Sequence, residues 1–279
     1  MNRNPIFLKQ NYHEVNKLIQ QSFLSEKGPG DLPISTRKNK IAGIIAPNFD
    51  YINAGRSFAW SYKEIAEAEI PETYIILGTA QEGINTYLFG DWNSPLGSVL
   101  LNKQLGKTVI RSFPKVRNNY DTFANDRSIE VQLPFLQFAS GNQERIQFTP
   151  FLIGTSTFED ITLLADAITD ASENISVICS ANLTYYGKGF NSVPFIYSVK
   201  ENISSFDQKA IQLICKLDSK AFYEFTRDSG IFDRYNITLF IELMKGLGCK
   251  QGDVLDYFTF QEVGKQKNIV GLASLFFRR

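Results

Sequence analysis

Residue types able to carry metal or acid-base chemistry are sparse in this chain: His13 is the only imidazole among 279 residues. Sites built on two or more histidines are therefore excluded. A Ser-His-Asp relay would have to use His13, which sits in an amphipathic N-terminal stretch far from any strand end. Cys179, Cys215 and Cys249 lie far apart and form no Cys-x-x-Cys pair. They read as reduced, mostly buried thiols rather than a disulfide framework or a thiolate metal site. No Gly-x-x-x-x-Gly-Lys-Ser/Thr loop, Gly-x-Ser-x-Gly elbow or His-Glu-x-x-His motif occurs. Gly246-Leu247-Gly248, with Gly252 one residue off a dinucleotide fingerprint, follows a helical stretch and reads as a glycine-capped helix end.

Composition narrows the classes further. Lys and Arg total 29 against 29 Asp and Glu, and 43% of residues are hydrophobic. A balanced charge gives no electrostatic footprint for nucleic acid or a membrane surface, while the apolar fraction suffices for a sizeable core. Residues 1–10 lack a signal-peptide profile, and no run approaches eighteen apolar residues, so a cytoplasmic protein is expected. Without secretion, the Asn-x-Ser/Thr sequons at Asn174, Asn182, Asn202 and Asn236 are chance matches.

The elements that must position any site follow from periodicity. Val15, Leu18, Ile19 and Phe23 mark one face of a helix that ends at Gly28-Pro29-Gly30. Residues 41–46 form a short apolar strand broken by Pro47, and Phe58, Tyr62, Ile65 and Ala66 restore helical spacing after Gly55. A strand over 73–77 leads into a loop at Gly78-Thr79-Ala80-Gln81. Further strands are predicted over 146–153, 175–179 and 269–277, and helices over 161–168, 207–217 and 239–247. This alternation predicts one α/β domain over 1–279, an αβα sandwich around a mostly parallel or mixed sheet. In such sheets ligands bind beyond the carboxyl ends of the strands, so the loops after Ala46, Leu77 and Cys179 should converge.

Ser128-Ile129-Glu130-Val131-Gln132-Leu133-Pro134-Phe135-Leu136 resembles the Memo family, also called AmmeMemoRadiSam system protein B, whose pattern here is Glu-His-Ser-Ile/Leu-Glu-Val-Gln-Leu-Pro-Phe-Leu. Other landmarks fall in the same order. Pro47-Asn48-Phe49-Asp50-Tyr51, with Ala54-Gly55, is similar to Pro-His-Ala-Gly-Tyr-x-Tyr-Ser-Gly. Leu77-Gly78-Thr79-Ala80-Gln81 resembles Leu-Gly-Pro-Ser-His, and Ser94-Pro95-Leu96-Gly97 resembles Thr-Pro-Leu-Gly. Residues 180–187 resemble Ser-Ser-Asp-Leu-Ser-His-Tyr-Gly, and 269–273 resemble Val-Val-Gly-Tyr-Ala. The resemblance implies a fold similar to class III extradiol dioxygenases, with a strand-end metal site of histidines, an aspartate and a cysteine.

Residue by residue, the chain departs from that metal site. The loop histidines become Asn48 and Gln81, the Ser-Asp pair becomes Ala181-Asn182, and the next histidine becomes Tyr185. Glu-His becomes Asp126-Arg127, and Cys-Gly aligns with Phe232-Asp233. Neutral amides are weak ligands for Zn, Fe or Cu, and Arg127 would bring a permanent cation toward the metal position. No metal or other cofactor is expected. Asn48, Asp50, Gln81, Asp126, Arg127, Asn182 and Tyr185 then form a candidate cleft for a small polar ligand or a protein partner. Buried amides that merely pair with one another are the structural alternative. Asp50 and Asp126 could instead offer oxygen to Mg or Ca, and Glu130 reads as structural, partnered by Arg127. The leading expectation is a non-catalytic Memo-like protein. A metal-independent hydrolase or isomerase using Tyr185 or Asp50, a metal-dependent oxidoreductase, and an oligomeric scaffold stand as alternatives. The family's name implies radical-SAM and AMMECR-type partners.

Overall fold

The computed structural model describes residues 11–34, 40–124, 126–141, 146–262 and 268–279. The signal-peptide reading of 1–10 lies outside them. The chain begins with α1 (Tyr12–Leu24), β1 (Ile41–Ala46), α2 (Tyr51–Glu67), β2 (Thr73–Glu82) and β3 (Ile84–Thr86). The hairpin β4 (Trp92–Ser94) and β5 (Gly97–Leu101) precedes α3 (Lys103–Ser112), β6 (Val116–Asn118), α4 (Tyr120–Ala124), α5 (Leu133–Ala139) and β7 (Gln147–Thr155). Then come α6 (Phe158–Ala171), β8 (Ile175–Ser180), β9 (Tyr185–Tyr186), α7 (Val199–Cys215), α8 (Ser219–Phe225), α9 (Arg234–Gly246), β10 (Gly252–Gln261) and β11 (Ile269–Arg278).

The sheet runs β10-β11-β1-β8-β2-β7-β3-β6 and is mixed. Its centre is parallel: β8 lies between β1 and β2, with Ala46 level with Ser180 and Leu77 level with Cys179. β1 and β8 therefore finish side by side, next to the part of β2 that follows Leu77, which is what the site requires. The antiparallel strands β10 and β11 extend the sheet beyond β1. Residues alternate across it: Ile75 and Leu77 join a core with α6 and α9, whereas Tyr74 and Ile76 join another with α1, α2 and α5. This is the α/β sandwich the periodicity predicts, with every residue of β1 and β8 buried as befits strands covered on both faces.

Three local expectations change. The loop at 78–81 is strand: β2 runs on to Glu82 because β7 keeps pairing with it, Thr79 opposite Ile153. The loop before Gly55 is shorter, because the Asp50 carboxylate accepts the Asn53 N–H at 3.0 Å and starts α2 at Tyr51. Gly55 lies inside that helix against Ser22 of α1, where a Cβ would clash. β10, which the sequence does not announce, is an edge strand half-exposed along most of its length, so it lacks the sharp alternation of a half-buried strand. Gly248 does adopt φ +81° just past α9, as a capping glycine should.

Candidate functional site

Beyond β1 and β8 and along β2, four side chains and the backbone of Asn48 close a hydrogen-bonded set. Asn182 follows β8 and is 1% exposed. Its side-chain carbonyl accepts the Asn48 N–H at 2.9 Å, and its amide donates to the Asn48 carbonyl at 2.9 Å and to the Tyr185 hydroxyl at 2.8 Å. Its backbone N–H donates to Asp233 Oδ2 at 2.7 Å. The Thr79 hydroxyl, on β2, donates to Asp233 Oδ1 at 2.5 Å, and the Tyr185 hydroxyl approaches Oδ2 at 3.5 Å. Asp233 itself sits at the start of α9, 3% exposed.

Burial pushes the Asp233 carboxyl up from 3.8 to about 6, although the bonds from Asn182, Thr79 and Tyr185 pull it down. The nearby Asp126 charge adds to the rise. Burial also raises the Tyr185 phenol well above its ordinary value, with Asp233 reinforcing the shift, so the phenol stays protonated. Phe232 stacks on the Tyr185 ring with centroids 5.1 Å apart, which fixes the phenol over the carboxylate. Below, Thr184 is pinned to the buried Asp207 through its N–H at 3.1 Å and its hydroxyl at 2.6 Å, and Tyr257 reaches the other oxygen at 3.0 Å. Burial raises Asp207 to about 6 as well.

The segment that carries the strongest family motif holds these ends together. Gln132 is fully buried and donates to the Pro47 carbonyl at 2.8 Å and to Ser180 Oγ at 2.7 Å, while Tyr62 donates to its side-chain oxygen at 2.9 Å. One amide thus ties β1, β8 and α2. Tyr51 donates to the Val131 carbonyl at 2.5 Å, and Pro134 sits in the first turn of α5, where its missing N–H costs nothing.

Of the seven residues expected in the cleft, Asn48, Asn182 and Tyr185 are brought together. Asp50 stays nearby, but its oxygens serve as the α2 cap and accept both Asn53 donors. Gln81 is exposed two residues beyond Thr79 on β2, and Thr79 makes the bond into the set. Gln81 and Asp126 instead line a polar cavity of about 560 Å3 with Thr79, Asn85, Arg117 and Asn119. Asp126 accepts the Ser128 hydroxyl at 2.9 Å and the Ile129 N–H at 3.2 Å. Arg127 borders a smaller recess of about 250 Å3 with Asn48 and Asp50. Thr79 and Asp233 were not expected in the site. Both lie within quoted landmarks, yet nothing in their spacing says that a threonine two residues past Leu77 would reach a carboxylate ahead of α9.

A transition metal does not fit these residues. Both Asp233 oxygens are taken by protein donors, and the Asn182 carbonyl is spent on a backbone N–H. Cys179 is wholly buried and its thiol is raised well above its ordinary value, so it offers no thiolate. Among the described residues, no three His, Cys, Asp or Glu side chains cluster as a metal site would require.

The molecule is thus a helix-covered mixed-sheet protein whose strand-end site is made of amides, hydroxyls and one buried carboxyl. Residues 6–276 match the family model described as "Memo-like protein", and the chain belongs to the Memo family. A MEMO1 family protein of Methanopyrus kandleri is 31% identical over the whole of both chains. One of Pyrococcus abyssi is 29% identical, again over both whole chains. Among solved structures, an uncharacterized protein of Escherichia coli K12 superposes with TM-score 0.50 at 11% identity, covering 85% of this chain and 99% of that one. That likeness is one of fold. Among the described residues, no helix is long and apolar enough to cross a membrane.

Proposed function

We propose that this Memo-family protein is a non-catalytic, metal-free binder of a small polar ligand, held in the strand-end region beside Thr79. The reading rests on the set Asn48–Asn182–Tyr185–Asp233–Thr79, in which the side chains at two of the positions that the family resemblance assigns to metal ligands, Asn182 and Tyr185, are spent on internal hydrogen bonds. The neighbouring 560 Å3 cavity supports it, because amides, hydroxyls and charges of both signs line that space. Metal analysis of protein purified without chelators, then titration with Fe(II), Cu(II) and Zn(II), tests the metal-free part. The expected result is no stoichiometric binding tighter than about micromolar. A stoichiometric ion whose binding is lost in Asn182→Ala and Asp233→Ala overturns it.

One observation favours a second reading, a metal-independent acid-base enzyme. The Tyr185 phenol lies within 3.5 Å of a buried carboxyl raised to about 6, and paired titratable groups in shifted environments are the raw material of proton transfer. Asp50, committed to its helix cap, drops out of that role. Turnover of any ester or isomerisation probe that disappears in Tyr185→Phe would select this reading. A cytoplasmic location stays the expectation read from the sequence, association with radical-SAM and AMMECR-type proteins goes with family resemblance alone, and co-purification from the native host checks the latter.

A further inference from the structure

A second cavity, of about 550 Å3, opens behind the segment that carries Asn182 and Tyr185. Thr184 and Gly230 are among its lining residues, and the Gly230 carbonyl accepts the Tyr185 N–H at 2.9 Å. Three phenylalanines build the wall. Phe206 and Phe225 stack with centroids 4.4 Å apart, and Phe195 meets Phe206 edge-on at 6.2 Å. Each is only half-buried; Phe206 and the Lys209 ammonium, 4.6 Å from the Phe225 centroid, cover the Phe225 ring, so the ring surface left for an occupant is mainly that of Phe195 and Phe206.

Charges of both signs line the same cavity: Glu224, at the end of α8, and Arg227 with Asp228 just after it. Among the described residues, neither Arg227 nor Asp228 enters a salt bridge. Glu224 meets only Lys220, at 3.4 Å, in a pair with both side chains more than half exposed, which holds it weakly.

We infer that this cavity binds a free aromatic amino acid, its ring among Phe195, Phe206 and Phe225, its carboxylate on Arg227 and its ammonium between Glu224 and Asp228. An apolar body recognised by rings, with a few polar groups fixing its orientation, is the usual make-up of a small-molecule pocket. Lys209, with its ammonium 4.6 Å over the Phe225 ring, and Arg227 set two cations against the carboxylates of Glu224 and Asp228, so a purely anionic or purely cationic aromatic compound would leave like charges facing it. A ligand bearing both charges satisfies the whole rim. The strand-end ligand proposed above is neither needed for this binding nor excluded by it.

Calorimetric titration of the full chain with L-phenylalanine and L-tryptophan tests the inference. Saturable one-to-one binding of about millimolar affinity or tighter is expected, with about tenfold weaker binding of phenethylamine, 3-phenylpropionate and L-leucine. Arg227→Ala, an exposed change that leaves the unfolding temperature in place, should erase the preference for L-phenylalanine over phenethylamine. Asp50→Ala, in the other cleft, should leave the affinity unchanged. Absence of saturable binding, equal binding of phenethylamine or leucine by the unaltered chain, or a preference that survives in Arg227→Ala overturns the inference.

Discussion

Two buried carboxyls give the molecule a proton dependence that can be predicted with its sign. Asp233 and Asp207 both rise from 3.8 to about 6, chiefly through burial. The folded protein therefore holds these protons more tightly than the unfolded chain. Each group's stabilising share is fully present below about pH 4 and is lost as the pH climbs through about 6, an effect on the order of 2–3 kcal/mol per group. Urea unfolding midpoints across pH 4–7 should accordingly fall less steeply in Asp207→Asn and Asp233→Asn than in the unaltered chain. Identical slopes in all three proteins would show that these carboxyls do not titrate in this window. Asp50 calls for a smaller effect: Asp50→Ala removes a helix cap and should cost about 1 kcal/mol, read as a shift in the unfolding midpoint.

At the scale of elements, the short turn and helix around Gln132 explain why the strongest motif in the chain contains no reactive group. Its work is to hold the ends of β1 and β8 and the side of α2 in register. Gln132→Leu should strand the Pro47 carbonyl and the Ser180 hydroxyl, while Tyr62 keeps its 3.1 Å bond to the backbone carbonyl of residue 132, for a loss of about 2–4 kcal/mol in chemical denaturation. A loss below about 1 kcal/mol would mean that the two groups find other partners. The same scale shows where the sequence is readable. β1, β8 and β11 stand out because strands buried on both faces are continuous apolar runs. The start of α2 and the extension of β2 do not, since one depends on a capping bond to Asn53 and the other on a partner strand some seventy positions away. The site divides likewise. Asn48, Asn182 and Tyr185 are found through the landmarks, whereas Thr79 and Asp233 meet only because β2 and α9 are packed together.

Across the whole molecule, an aromatic cluster joins α1, α2 and α5 over one face of the sheet: Phe135 packs against Phe23, Tyr51, Phe58 and Tyr62. Phe135→Ala should cost about 3–5 kcal/mol through lost burial and a residual void, measured against Tyr120→Ala, an exposed ring, as the mild control. The opposite ranking would show that the cluster repacks. A last consequence follows from the position of β11 between β10 and β1. During synthesis β1 can acquire its neighbour β8 well before β11, which follows later in the chain, covers its other margin. A bare row of amides and carbonyls then persists until β11 emerges and invites pairing with other nascent copies. Yield from a cell should thus depend on chaperone supply more steeply than the finished protein's stability would suggest.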